Sequence, residues 1–311
     1  MYRITMNLKP TLLLLAALLC RLSLNAQTIS KDELTFLTAD WKGDRFSDGR
    51  PKVPDELLER AKHIMVDDAW TVLKNEGYLN QFAGGWKTVN STVMAGRAVT
   101  AVYLPSRPDL EKNIKERGAK QGRKGNTNSW PIDLLVKGDL YVADAFGKIG
   151  GGPIMGATLA NSIYSKSGNG VVFDGAARDL QEIMNLKGFN AFVRDFHPSF
   201  TEQMVLTGLN TPIRIGEAVV LPGDLVIATP EGVLFVPAHL AEQVVSTAEF
   251  VIRKDQFGFE AVRTGKYSTG EIDSQWSDEI KAEFLKWLAK HPELGKMTRE
   301  ELDKVMSKRT W

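Results

Sequence analysis

The sequence predicts a mixed α/β domain of about 200 residues followed by a helical C-terminal extension. Two observations carry this reading. Short apolar, β-branched runs recur through the middle of the chain, most of them opened by glycine, with helically spaced apolar residues between them. Beyond about residue 250 the strand-like runs stop and only helical spacing remains. The 311 residues can bury a sizeable core, and 43% hydrophobic against 25% charged residues is an ordinary globular balance.

Residues 1–26 read as a secretory signal peptide. Arg3 and Lys9 give a positive start, and Leu12 to Leu19 is apolar but far shorter than the ~20 residues that span a bilayer. Ala26 offers a small residue at a cleavage edge. The expected product is an exported, most simply periplasmic, protein with no stable membrane insertion after cleavage. Cys20 follows the bulky Leu19, which disfavours lipidation. It is the one cysteine of the chain, so a mature protein starting after Ala26 has none. That excludes disulfides, thiolate nucleophiles and cysteine-bound zinc. Of the 39 Lys and Arg residues, Arg3, Lys9 and Arg21 lie in the acid-free leader; the other 36 face 38 acids, a net charge of −2. Such a balance draws the protein to neither nucleic acid nor anionic membrane.

Residues 27–52 are polar with scattered Asp and Gly, which predicts an arm rather than a packed element. A domain over residues 53–250 then opens with a helix from Pro54 that carries Leu57, Leu58, Ala61, Ile64 and Met65. Strands are expected at 98–104, 140–143, 171–173, 191–193, 225–228 and 233–236. One helix between them carries Leu159 and Ile163; another carries Leu180, Ile183 and Met184 and stops at Gly188. In the extension, 251–311, Ile280, Phe284, Leu285, Trp287 and Leu288 mark a helix ending near His291-Pro292. Thr298-Arg299-Glu300-Glu301 is a capping-box pattern ahead of Leu302, Val305 and Met306. Trp276, Trp287 and Trp311 are expected to pack in this extension or against a neighbouring subunit.

Two segments could carry chemistry. Gly150-Gly151-Gly152-Pro153-Ile154-Met155-Gly156-Ala157-Thr158-Leu159 is a glycine-rich stretch opening a helix, where backbone N–H groups and the helix dipole favour a carboxylate or phosphate. The same composition also suits a plain turn. Asp174-Gly175-Ala176-Ala177-Arg178-Asp179 follows a strand-like run, at the kind of sheet edge where ligands gather. A carboxylate there can hold a hard divalent cation while the guanidinium grips an anion. The plainer alternatives are that Asp179 caps a helix and Arg178 is a solvated charge. Asp144 and His197, each at a strand end, and Lys148 near the glycine run are further candidates. His63, His239 and His291 suit surface or packing positions.

Four stretches come in an order that resembles the ribonuclease-regulator-A-like / 4-hydroxy-4-methyl-2-oxoglutarate aldolase family. They are Met94 to Thr100, Gly138 to Asp144, Gly170 to Asp179, and Pro222 to Ala228 with Gly232 to Pro237. The resemblance spans about residues 60 to 245 and leaves out the arm and the C-terminal helices. It implies a layered α/β/β/α domain, assembled as a homotrimer or a hexamer of paired trimers, with sites between subunits. It also implies a lyase dependent on a divalent cation, Mg²⁺ or Mn²⁺. Such an enzyme cleaves or decarboxylates a small 2-oxo or 2-hydroxy acid through a metal-stabilised enolate. By position, Asp179 would hold the metal and Arg178 would be the catalytic cation on substrate oxygen. The amides of Gly156, Ala157, Thr158 and Leu159 would hold the substrate carboxylate.

One departure matters. The family's helix start reads Gly, then Asp or Glu, any residue, then Leu; here it reads Gly156-Ala157-Thr158-Leu159. Ala157 can neither accept a proton nor orient water. Binding is therefore better supported than turnover. A non-catalytic carboxylate-binding or regulatory protein on the same scaffold stays open as the second reading. Export disfavours a ribonuclease-regulating role, and no dinucleotide-type fingerprint supports a methyltransferase.

Overall fold

The computed structural model describes residues 28–90, 92–294 and 297–307. The signal peptide and Trp311 lie outside the described residues. Strands form where the β-branched runs predicted them. In chain order they are β1 (Phe82–Ala83), β2 (Lys87–Thr88), β3 (Met94–Pro105), β4 (Asp139–Met155), β5 (Val171–Ala177), β6 (Ala191–Phe196), β7 (Met204–Leu209), β8 (Ile213–Ile215), β9 (Ala218–Val220), β10 (Leu225–Thr229) and β11 (Gly232–Val236). Helices α1 (Lys31–Leu37), α2 (Asp55–Ala61) and α3 (Val66–Asn75) precede the sheet, and α4 (Pro108–Lys120), α5 (Ala157–Ser167) and α6 (Leu180–Met184) lie between its strands. Four more follow it: α7 (Ala241–Arg263), α8 (Thr269–Ile272), α9 (Asp278–Lys290) and α10 (Arg299–Met306).

The main sheet runs β1-β11-β10-β3-β4-β5-β6-β2, with β7 paired to the outer end of β3. Strands β3 to β6 are mutually parallel, so each step needs a crossover, and α4, α5 and α6 supply them. Alternation along the strands then sorts side chains into layers. Tyr141, Phe173 and Val193 face outward onto α5, α6 and α4. Their neighbours Leu140, Val142, Val172 and Phe192 face inward, where they meet Val226, Ala228, Val233 and Phe235 from the other half of the sheet. The β8–β9 hairpin fills this inner core, and α2, α3 and α7 cover the far side of β10 and β11. The result is the layered α/β/β/α arrangement. No helix among the described residues is long and apolar enough to cross a membrane.

Three expectations need correction. The helix from Pro54 breaks after Ala61 and restarts at Val66, where Asp67 and Asp68 complement a new helix N-terminus. Met65 is left exposed between the two helices. The expected boundary at residue 250 falls inside α7, whose first half packs on the domain and whose second half packs on Trp276, Ile280 and Phe284 of the extension. The expected loose arm is packed. Ser30 caps α1 by accepting from the Glu33 amide at 3.1 Å, Leu34 is fully buried, and Thr28 bridges to Leu209.

Charge also docks this arm. Asp139, fully buried at the start of β4, accepts from Arg50 Nη1 at 3.0 Å and from Arg97 Nε at 3.2 Å. Arg97 also donates to the Val53 carbonyl and the Asp55 carboxylate, and Arg50 to Asp48. The Phe46 ring lies beneath both guanidinium groups, at 4.7 and 5.4 Å. Gly138 takes a left-handed φ of +84°, and a side chain there would meet Arg97 Nη2 at 2.5 Å.

Asp139→Ala leaves two buried cations without their shared anion. It should cost about 3–5 kcal/mol in urea unfolding, against about 1 kcal/mol for an ordinary lost hydrogen bond. Burial pushes the Asp224 carboxyl up to about 7, although it accepts from the Leu221 and Ala238 amides. Its protonated form is favoured in the folded state. The stability it contributes is therefore complete below the ordinary carboxylate pKa of about 4 and is lost as pH rises through about 7. Asp224→Asn should flatten unfolding free energy against pH over that window.

Candidate functional site

Strand β4 continues through the glycine run to Met155 instead of ending near residue 143. Its register with β5 shifts three times between Asp144 and Met155. Gly151 takes φ +72°, and a side chain there would meet Gln203 at 2.7 Å. Gly150, Gly151 and Gly152 therefore bend a strand and do not open a helix. The anion-binding expectation narrows to Gly156 and the first turn of α5.

Gly156 is the N-cap of α5 and has no side chain to cap with. The cap comes from elsewhere: the Ala157 amide donates to Asp179 Oδ2 at 3.0 Å. Asp179 occupies the N-cap position of its own helix, α6, but makes no side-chain cap there. Its backbone is left-handed, φ 60° and ψ 42°, which aims the carboxylate across to α5. So Asp179 is a helix cap, but of the neighbouring helix. A Cβ on Gly156 would collide with Asp179 Oδ2 and approach Arg178 Nε to 3.0 Å, so glycine is needed at this crossing. The Ala157 amide, expected to hold substrate, is already engaged by Asp179; Thr158 and Leu159 carry the first-turn amides that remain.

Arg178 is fixed through its backbone, which donates to the Met155 carbonyl at 2.9 Å. Its Nε lies 3.9 Å from Asp179 Oδ2, and its guanidinium stacks 4.4 Å from the Phe200 ring centroid. Both charged side chains are about one-third exposed. They open into a cavity of about 380 Å³ that Gly156, Thr158 and Leu159 also line. Its far wall comes from Asn126, Asn128 and Ser129, around the 3₁₀ segment Thr127–Leu134, and from Phe200 and Thr201 after β6. The sequence reading missed this wall. Its residues sit in connecting segments with no periodicity, where only an aromatic beside Pro198-Ser199 offered a signal.

The six-residue motif divides between two faces of the sheet. Asp174 shares the inner face with Val172 and pairs with Arg194 Nε at 2.5 Å. Arg194 in turn stacks 3.8 Å over Trp86 and donates to the Gly84 carbonyl. Asp144, the register partner of Asp174, accepts from the Phe146 amide; burial raises its carboxyl pKa, and the Asp174 charge adds to the rise. Neither acid lines the Arg178 cavity. Nor do Lys148 and His197. His197 Nδ1 lies 2.8 Å from Ser199 Oγ, which accepts from the Gly151 amide. His63 is exposed, His239 meets Tyr78, and His291 meets Glu293 and Trp287.

Among the described residues, no group of three or more His, Cys, Asp or Glu could hold a metal ion. Asp179 offers one carboxylate, with Oδ2 shared with an amide donor. This donor set fits a hard cation that keeps most of its waters and substrate oxygens, as Mg²⁺ does, and does not fit a caged ion.

The family model described as RraA-like: Aldolase/RraA matches residues 63–235. The chain belongs to the RraA-like family. Arg50 and Asp55 of the charged network, and helices α7 to α10, lie outside the RraA-like match. An uncharacterized protein of Methanocaldococcus jannaschii is 24% identical over 201 residues, 62% of this chain and 88% of that protein. A Halalkalibacterium halodurans protein provisionally named 4-hydroxy-4-methyl-2-oxoglutarate aldolase is 30% identical over 116 residues, 36% of this chain and 52% of that protein. The fold is similar to that of Streptomyces coelicolor RraAS2, described as an unusual member of the RNase ES inhibitor RraA protein family. The TM-score is 0.55 at 22% identity, over 67% of this chain and 96% of that one.

Gly156→Ala should lower stability by about 1–2 kcal/mol through loss of the Asp179 cap. In an Asp179→Gly background the same substitution should cost less than half as much. A double-mutant cycle by thermal unfolding measures the difference.

Proposed function

We propose that this RraA-like chain is a divalent-cation-dependent lyase that cleaves or decarboxylates a small 2-oxo acid. The observation that carries the reading is the meeting of Asp179, Arg178 and the first turn of α5 in one cavity. The amides of Thr158 and Leu159, at the positive end of the helix, suit the substrate carboxylate. Arg178 suits a second oxygen through its planar donor fork. When bound through Asp179, Mg²⁺ or Mn²⁺ would supply a Lewis acid beside the 2-oxo oxygen. The provisional aldolase name of the H. halodurans relative points to the same chemistry.

A carboxylate-binding protein without turnover is the second reading. Ala157 favours it, because among the described residues Arg178 and Asp179 are the sole charged side chains lining the cavity. Asp179 is engaged by the Ala157 amide, and position 157 itself carries no acid. The leader and the family resemblance extend either reading to an exported, periplasmic homotrimer or hexamer, to be tested by cell fractionation and light scattering.

The deciding assay incubates protein with Mg²⁺ or Mn²⁺ and a panel of oxaloacetate and pyruvate-yielding aldol substrates, and follows pyruvate release above the protein-free rate. Asp179→Asn keeps a residue that tolerates the left-handed backbone and should lower metal-dependent turnover at least 100-fold (a loss of about 2.7 kcal/mol in transition-state stabilisation). Full activity in that variant rules out the assignment of Asp179. Calorimetric binding of pyruvate or oxalate with no product across the panel would establish the second reading.

A further inference from the structure

Arg178 and Asp179 are adjacent, opposite in charge and only partly solvated, yet their closest approach is 3.9 Å. An unrestrained guanidinium beside a carboxylate closes to about 2.7–2.9 Å, commonly through two bonds. The guanidinium has a second neighbour, the Phe200 ring, whose centroid lies 4.4 Å from the guanidinium carbon. Phe200 is 58% exposed, so burial does not explain its place at the cavity lip.

The loop that carries Phe200 is pinned on both sides. Ser199 Oγ bonds His197 Nδ1 and accepts from the Gly151 amide. Thr201 Oγ1 donates to the Pro153 carbonyl and accepts from Asn128 Nδ2. The Glu202 and Gln203 amides both donate to the Gly151 carbonyl, at 3.0 and 2.9 Å. The bent glycine run of β4 is thus the seat on which this loop rests.

We infer that Phe200 is a positioning residue: by stacking on Arg178 it keeps the guanidinium off Asp179 and leaves that carboxylate available to a cation. The inference rests on Asp179 as the cation ligand. A cation stacked on an exposed ring and an exposed ion pair are of similar strength, so the ring competes for the guanidinium on even terms. Without it the pair closes, and a cation must displace Arg178 to bind.

Mn²⁺ titration of substrate-free protein, read by electron paramagnetic resonance and calorimetry, tests this apart from activity. Phe200→Ala should weaken Mn²⁺ about tenfold, the low end of losses from groups that orient a metal ligand. Phe200→Tyr should stay within about twofold of wild type, since either ring stacks on a guanidinium. Adding Arg178→Gln to Phe200→Ala should restore the affinity, because the competing cation is gone. Unchanged binding in Phe200→Ala, or a loss that persists without the guanidinium, overturns the inference while leaving Asp179 as ligand. Equal Mn²⁺ binding by wild type and Asp179→Asn, or none by wild type, overturns both.

Discussion

Asp139 is a buried carboxylate with an arginine on each oxygen, and it ties two neighbouring strands to the segment that precedes the domain. In a low-dielectric interior the Asp139 carboxylate needs these two cations, and each arginine has a second carboxylate besides it, Asp48 for Arg50 and Asp55 for Arg97. Arg97 belongs to β3, Asp139 to β4 and Arg50 to the segment before α2, so the triad fixes three chain segments against one another. Arg97 and Asp139 are also register partners. The register of β3 and β4 thus brings this charge pair together at one end of the two strands. The other end of β4 delivers Gly156 to the cavity.

At that end a compact division of labour appears. Strand alternation sends Asp174 inward, where it and Arg194 anchor the Gly84-Gly85-Trp86 segment. Four residues later the chain has left the strand, and Arg178 and Asp179 face the helix start on the outer side. One short motif thus braces the sheet and furnishes the cavity. Its compactness in sequence conceals two separate jobs.

Much of the sheet was legible because Val, Ile and Phe in short glycine-bounded runs have few other uses. The Arg178-Asp179 pair was legible too, with its place at a helix start. What escaped was set by partners distant in sequence. Residues 28–52 look like an arm because part of their hold comes from partners distant in sequence, with Arg50 paired to Asp139 and the Phe46 ring beneath Arg97. The glycine run looked like a phosphate-type loop because composition cannot separate a bent strand from a nest of amides. Phe200 and Asn128 carry no periodic signal, since loops owe their positions to the bonds that pin them.

The backbone of Asp179 has a final consequence. A left-handed residue bearing a Cβ is strained by about 1 kcal/mol, and glycine would relieve it. In a laboratory evolution experiment scored on heat tolerance alone, relaxing that backbone and losing the carboxylate cap on α5 would pull position 179 in opposite directions. A library that retained aspartate there would show that the carboxylate, and not backbone comfort, governs the position.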